Sequence, residues 1–403
     1  MATLYKQKDL SVDFCGVHFE NPFILAAAPP SDELEMVRNA FKMGWAGAVL
    51  KTTHVKEEIV DLVYPMMSSV ELEGKRIAAL GNIDLVSEYD IDEIEKRIKI
   101  LKKEFPEKVV IGSMMGGVKE DWQQLASRLV KAGVDIIECS FSCPQGSMGK
   151  KPGAMLGQDP ELSKVVAGWV KEAAGNVPVV IKITPQVADI VEVVEKIKEG
   201  GADAVCASNT IPSLMGIDLD TFVPYPSVGG KSTYSGLSGP AIKPISLKTI
   251  SEIKRYVDIE ITGTGGVSTW RDAVEFFLVG ASNVQICTAV MHKGFRVIDD
   301  FKSGLSNYME MKNISKVTDI IGKALPNIVM HDGLPRNITV RAKIRDEDCI
   351  NCGLCYISCR DGGHMAIDKL ENRQYKVNND NCKGCNLCVQ VCPAYCIDLV
   401  PLE

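Results

Sequence analysis

The sequence has no excess of positive charge. Its 45 Lys and Arg stand against 52 Asp and Glu, a formal charge of -7, and no basic run interrupts that balance, which argues against nucleic acid as a partner. No stretch reaches the ~18 apolar residues of a membrane-spanning helix, so no membrane association is expected. The first residues, MATLYKQKDLSVDF, lack the apolar segment of a signal peptide, and a cytoplasmic protein is the expectation. A strong dinucleotide fingerprint is missing too. Gly263-x-Gly265 has neither the third glycine nor the downstream acid, which excludes nicotinamide binding there. What the chain does have is length: 403 residues, nearly half of them apolar. That exceeds the ~250–300 residues at which a single core stops growing and predicts two unequal domains.

From Asn21 to about Gly304, short β-branched, apolar runs alternate with longer amphipathic stretches, the pattern of repeated βα units around a parallel sheet. Eight strands are predicted, beginning at Phe23, Gly47, Val109, Asp135, Val177, Ala204, Ile259 and Asn283. Between them lie helical stretches such as ELEMVRNAFKMG, DWQQLASRLVKAG, DPELSKVVAGWVKEAA and IVEVVEKIKEGG, several closed by glycine. Eight parallel strands in about 300 residues fit a TIM (β/α)8 barrel better than an open doubly wound sheet. The segments between Lys51 and Ile111 and between Asn209 and Tyr256 are longer than one helix needs. At strand C-terminal ends such insertions can build a substrate pocket. The barrel is placed at 1–310, a partly helical connector at 311–339 and a second domain at 340–403.

Of 14 cysteines, eight form two short runs after residue 345 and the other six are scattered through apolar segments. That distribution reads as ligands in a reducing compartment, not as disulfides. Cys349, Cys352, Cys355 and Cys359 have the spacing C-x2-C-x2-C-x3-C, and Cys382, Cys385, Cys388 and Cys392 repeat it, with Pro393 next. This is the dicluster ferredoxin spacing, in which three thiolates of a tight turn reach one cubane and the fourth, carried off along a short helix, ligates the other. Cys349, Cys352, Cys355 and Cys392 are therefore expected to hold one 4Fe–4S cluster, and Cys382, Cys385, Cys388 and Cys359 the second, in an α+β ferredoxin domain. Paired zinc sites need neither four cysteines per run nor the terminal Cys-Pro. Cys396 reads as a packed thiol and not a ninth ligand.

Single electrons leaving a cluster need an acceptor able to store two, so the barrel is expected to hold a flavin. The motifs NPFILAA (21–27), LKTT (50–53), FSCPQ (141–145), GQDPEL (157–162), IKITP (181–185), SNT (208–210), SGLSG (235–239) and TGTGGV (262–267) run through nearly the whole chain. With the cysteine-rich tail, they resemble the dihydroorotate and dihydropyrimidine dehydrogenase family, most of all the catalytic part of the dihydropyrimidine dehydrogenases. The resemblance implies FMN in the barrel, with Lys51 and Lys182 placing cations beside the ring, where negative charge gathers on reduction. Ala26, Ala27, Thr52 and Asn209 are implied as further flavin contacts. Lys182 also stands out unaided, since a lysine inside the apolar run VVIKI is costly unless paired.

Ser238-Gly239, Gly265-Gly266 and Cys287-Thr288 offer backbone N–H groups and a helix N-terminus, and the resemblance makes them the FMN phosphate site. Any one of these glycines could merely turn the chain. Cys143, in a Pro/Gly-rich loop after strand four, falls at the family's active-site cysteine. A thiol of ordinary pKa ~8.5 is mostly protonated at pH 7 and can give a proton to carbon while FMN delivers hydride to the adjacent carbon of a polarised C=C bond. Cys15, Cys139 and Cys206 read as merely buried. Asn82, Asn209 and Thr210, with Ser140, are implied substrate contacts, matching the alternating N–H and C=O edge of a pyrimidine.

Two positions depart from the family pattern. In relatives that reduce uracil an asparagine stands three residues before the cysteine, where this chain has Ser140. A second asparagine stands near the strand-three exit, where this chain reads Gly116-Gly117-Val118-Lys119. Losing a paired amide in a buried site costs about 1–3 kcal/mol, enough to redirect substrate choice. Three functions follow: reduction of an activated C=C bond in a pyrimidine, the same chemistry on another conjugated heterocycle or enone, or electron transfer by a barrel that has lost its own substrate. With no FAD or NAD(P) domain visible, the resemblance implies a separate FAD/NAD(P)-binding flavoprotein subunit or a free ferredoxin as electron supplier, and association into an oligomer.

Overall fold

A computed structural model describes residues 8–57, 60–72, 75–141, 156–371 and 374–401. Eight parallel strands close a barrel in chain order: β1 (Phe23–Leu25), β2 (Gly47–Val49), β3 (Val109–Met114), β4 (Ile136–Ser140), β5 (Val179–Lys182), β6 (Ala204–Ala207), β7 (Glu260–Thr264) and β8 (Asn283–Ile286). Closure is made where β8 pairs with β1, Gln285 lying opposite Ile24. Each of the eight predicted strands is present, and the architecture is a TIM barrel. Strands such as β3 and β4 are buried along their whole length, because helices cover one face and the barrel interior the other. That explains why they read as continuous apolar runs without alternation.

The outer helices are α1 (Leu34–Lys42), α2 (Ile91–Glu104), α3 (Lys119–Ala132), α4 (Pro160–Ala174), α5 (Ile190–Glu199), α6 (Lys243–Tyr256) and α7 (Trp270–Leu278), followed by the short α8 (Thr288–Lys293) and by α9 (Val297–Met311). Local chemistry sets their ends. Asp159 caps α4 by accepting from the Leu162 N–H, with Pro160 in the first turn. Gly133 ends α3 at φ 98°, a left-handed conformation that suits glycine. Inward stripes such as Trp122, Leu125, Ala126 and Leu129 of α3 are buried against the barrel, each large side chain contributing about 1.5–3 kcal/mol.

The two long insertions find each other. Strands Met67–Leu72 and Lys75–Asn82 of the first join Ile211–Ser213 and Ser235–Ser238 of the second in one antiparallel sheet, with Gly236 opposite Asn82. After α9, a 3-10 turn at Val317–Ile320 adds Val317 and Ile320 to the barrel core. The chain divides into two compact units, Met1–Asn327 and Ile328–Glu403. Among the described residues no helix is long and apolar enough to cross a membrane.

In the second unit, strand Val340–Ile344 pairs with Ile397–Pro401 and Ile367–Lys369 with Tyr375–Val377. Helices α10 (Leu354–Gly362) and α11 (Leu387–Gln390) each begin inside a cysteine run. The two runs repeat their backbone: Asn351 and Gly353 are left-handed at φ 56° and 80°, and Gly384 and Asn386 at 68° and 71°. Only glycine and asparagine adopt that conformation cheaply, and alternating it with the cysteines curls each run around its thiols.

Candidate active site

A cavity of about 700 Å³ opens at the C-terminal ends of the barrel strands, within the ~300–1,000 Å³ of small-molecule sites. It is lined by Ala26 and Ala27 after β1, Lys51 and Thr52 after β2, Ser140 of β4, Lys182 of β5, and Asn209 and Thr210 after β6. Gly265 and Gly266 after β7, Cys287 and Thr288 after β8, and Asn82, Ser238 and Gly239 from the insertions complete it. The fold thus brings together at one cavity every residue named in the sequence as a flavin or substrate contact; Cys143 lies outside the described residues.

Both lysines are buried and paired. Lys182 is 6% exposed, and its Nζ lies 3.7 Å from Glu138 Oε1. Burial pulls the Lys182 pKa down, but Glu138, then the Cys206 and Cys287 sulfurs, push it up by more, so it sits above the ordinary lysine value and the ammonium stays charged. Lys51 Nζ lies 2.8 Å from Asp84 and 3.3 Å from Asp32, and Ser87 Oγ donates to Asp32 at 2.5 Å. Asp84 Oδ1 and Gln285 Oε1 are buried without a hydrogen-bond partner, and both residues line the cavity. Such orphaned acceptors call for a ligand or ordered water. Asp32, Asp84, Glu138 and Gln285 were not singled out in the sequence. Glu138 carried a usable signal, since an acid inside the apolar run IIECS poses the same question as Lys182.

Asn82 Oδ1 accepts from the Asp84 N–H at 2.7 Å and Asn209 Oδ1 from the Thr210 N–H at 2.8 Å, which fixes both side chains against their own turns. Thr288 Oγ1 donates to Ser238 Oγ, which donates in turn to the Leu80 carbonyl, tying the end of β8 to the insertion sheet. Burial pushes the Cys287 thiol up to about 11, with Lys182 pulling the other way. Gly239, Gly265 and Gly266 have φ of 87°, 104° and 100°. A Cβ on Gly265 would fall 2.2 Å from Ser246 Oγ, and one on Gly266 2.7 Å from Lys243 Cβ. The first turns of α6 therefore occupy the side-chain space, and these two residues meet the cavity as bare backbone. Two buried cations, bare backbone at positive φ and unsatisfied acceptors fit an FMN whose ring is polar and whose phosphate is anionic.

The departures from the family pattern are visible as geometry. Ser140 is buried at the cavity wall, whereas Val118 is 50% exposed and caps α3. The Gly117 and Val118 N–H groups donate to Asp121 Oδ2, at 3.0 Å each, so the exit of β3 is spent on starting α3. Of the cysteines read as buried, Cys139 and Cys206 are fully so, but Cys15 is only partly buried. It stands at φ 51° in the turn between strands Val12–Phe14 and Val17–Phe19, packed against the edge of the core and not inside it.

In the second unit Cys349, Cys352, Cys355 and Cys392 line one small cavity, and Cys359, Cys382, Cys385 and Cys388 line another. Each set takes three cysteines from one run and one from the other, as two cubanes require. Cys396 is 2% exposed, lines the first cavity and lies with its Sγ 3.5 Å from Cys392 Sγ.

The sequence profile described as dihydroorotate dehydrogenase matches residues 9–309, and that of a 4Fe–4S dicluster domain matches residues 342–399. The chain is 39% identical over 400 residues to the NAD-dependent dihydropyrimidine dehydrogenase subunit PreA of Escherichia coli strain K12, covering 97% of this chain and 95% of the relative. It is 34% identical over 340 residues to the chloroplastic dihydropyrimidine dehydrogenase (NADP(+)) of Arabidopsis thaliana, covering 81% and 80%. To the catalytic subunit of dihydroorotate dehydrogenase B (NAD(+)) from Pyrococcus horikoshii it is 35% identical over 323 residues, 78% of this chain and 98% of the relative. With the first profile matching most of the barrel unit and the second the paired cysteine runs, the chain belongs to the dihydroorotate dehydrogenase family and is an oxidoreductase that carries FMN and 4Fe–4S clusters.

Proposed function

We propose that this chain reduces the activated C=C bond of a pyrimidine, uracil or thymine, to the 5,6-dihydro form, reversibly. The observation that carries the reading is the meeting of Asn82, Ser140, Asn209 and Thr210 with Lys51 and Lys182 at one cavity, which sets amide and hydroxyl groups for a pyrimidine edge beside two cations. The two dihydropyrimidine dehydrogenases among the relatives support it. When bound, FMN supplies hydride chemistry and the clusters supply single electrons. Ala26, Ala27, Lys51, Thr52, Lys182 and Asn209 would hold the flavin ring, while Ser238, Gly239, Gly265, Gly266, Cys287 and Thr288 would hold its phosphate. Cys143 keeps the proton destined for the substrate carbon, because an ordinary thiol is protonated at neutral pH. Asn82, Asn209 and Thr210 orient the ring, and Ser140 bounds it.

The electrons come from a separate FAD- and NAD(P)-binding flavoprotein subunit or a free ferredoxin. That the Escherichia coli and Pyrococcus relatives are themselves named as subunits supports such a partner. A second reading, the same chemistry on another conjugated heterocycle or enone, is favoured by Ser140 at the cavity wall and by the absence of Val118 from its lining.

The test is reoxidation of the dithionite-reduced, anaerobically purified protein by uracil, thymine and a panel of other heterocycles and enones. Rapid flavin reoxidation by uracil or thymine is expected, with turnover lost in C143A. Reoxidation by another compound alone moves the assignment to the second reading, and no response to any compound overturns both.

A further inference from the structure

The interior of a (β/α)8 barrel is ordinarily filled by branched aliphatic side chains. Here the β4 position that faces inward below Ser140 is Glu138, which is 0% exposed. Nothing in the function proposed above uses it. A buried carboxylate persists only when paired and hydrogen-bonded, and the side chains paired with Glu138 present donors to it. Gln285 Nε2 donates to Oε2 at 2.6 Å, Lys182 Nζ lies 3.7 Å from Oε1, and burial together with the Glu138 charge raises the Cys206 pKa, so that this thiol stays protonated. Surroundings made of donors suit the carboxylate and not the acid.

The pairing with Lys182 is loose. At 3.7 Å it exceeds hydrogen-bond length, and Glu138 Oε1 has no hydrogen bond. The carboxylate therefore offsets part of the ammonium's field without tying its protons down. Lys182 and Gln285 both line the cavity, so Glu138 touches two of its walls while reaching no ligand itself.

We propose that Glu138 is a positioning residue: through Lys182 it sets the charge that the barrel cavity presents to FMN. The inference rests on the reading that FMN lies against Lys182. Glu138→Gln keeps the volume and still offers Gln285 an acceptor, but removes the negative charge. The field of Lys182 is then no longer offset. Because reduction gathers negative charge on the flavin, E138Q should be reduced more easily than the parent.

The experiment measures FMN content, the two-electron midpoint potential of the flavin, and affinity for sulfite, whose addition to oxidised flavin leaves the ring negatively charged. It uses the holoprotein, E138Q, K182Q and E138Q/K182Q. E138Q should retain FMN, bind sulfite at least about tenfold tighter and gain about 30 mV, the two-electron equivalent of tenfold. K182Q should move both readouts the other way, and in its background the effect of E138Q should shrink by more than half. A Glu138 that only supports the fold would lower FMN content or melting temperature without moving the potential. FMN-loaded E138Q with unchanged potential and sulfite affinity overturns the proposal, and so does a full E138Q shift in the absence of Lys182. If K182Q alone changes neither readout, what falls is the reading that FMN lies against Lys182. Should E138Q fail to load FMN, E138D, which draws the carboxylate back by one methylene, should shift both readouts in the same direction by less; a zero or opposite shift overturns the proposal.

Discussion

Lys51 offers a sharp test of how charge is held beside the cavity. Its side chain is 5% exposed, and the Asp32 and Asp84 carboxylates that flank it are 14% and 2% exposed. Lys51→Met keeps the stem in place and removes the ammonium, leaving two buried carboxylates facing one another. Breaking a buried ion pair from one side costs about 3–5 kcal/mol, because the remaining charge is uncompensated. With unfolding entropy near 2.1 cal/mol/K per residue over the roughly 320 residues of the first unit, that corresponds to a Tm lower by about 5–7 °C. Differential scanning calorimetry of K51M, D84N and K51M/D84N separates the terms. The double variant should recover at least half of the K51M loss, since removing Asp84's charge leaves Asp32 alone. A K51M protein that melts with the parent, or a double variant in which the two losses simply add, would refute the claim that the lysine is there to balance the pair.

Two further outcomes follow from the geometry. Asp272 accepts from the Thr269 and Ser268 N–H groups and from Lys243 Nζ; burial pushes its pKa up, but Lys243, Thr269 and Ser268 more than offset this and hold it below the usual carboxylate value. A depressed carboxylate contributes stability that is present above the unfolded value of about 3.9 and lost as pH falls through the folded one. D272N should therefore be about 1–2 kcal/mol less stable at pH 7, with the gap to the parent closing below about pH 4. Thermal melts at pH 7, 4 and 3 check this, and a gap that stays constant or widens from pH 4 to pH 3 contradicts it. In the second unit, Cys392→Ser should disturb the cluster ringed by Cys349, Cys352 and Cys355, and Cys359→Ser the other. Iron should fall from about eight to about four per chain in each variant, and the electron paramagnetic resonance spectra of the surviving reduced clusters should differ. Identical survivors would sink the crossed arrangement.

Most of the barrel was legible because its strands are buried on both faces and its helices on one, so burial writes a periodic signal into neighbouring residues. Lys182 was legible for a different reason: one charge in VVIKI contradicts its surroundings. Its partner Glu138, in IIECS, contradicts its own just as plainly, but that the two meet depends on β4 and β5 lying side by side with Ser140 opposite Lys182. The partners of Lys51 were less accessible still. Asp32 precedes α1 and Asp84 follows the strand Lys75–Asn82, and nothing local in either segment marks it as the neighbour of β2. The glycines after β7 show the opposite difficulty. Their sequence suggested ligand approach, and the packing of α6 against Gly265 and Gly266 supplies a second reason for glycine that no pattern could distinguish.

The sequence by itself determined the succession of βα units, the presence of a second iron–sulfur unit and the kind of redox chemistry. Each of these is carried by residues within a few turns of one another, where backbone geometry converts spacing directly into position. Tertiary structure alone decided which charges pair around the cavity, how the two insertions join into one sheet that brings Asn82 and Ser238 to its rim, and that Ser140 lines the cavity while Val118 faces solvent. Those outcomes depend on barrel closure and on pairing between segments far apart in the chain, and such contacts are chosen by the global minimum of burial and hydrogen bonding, not by any local propensity.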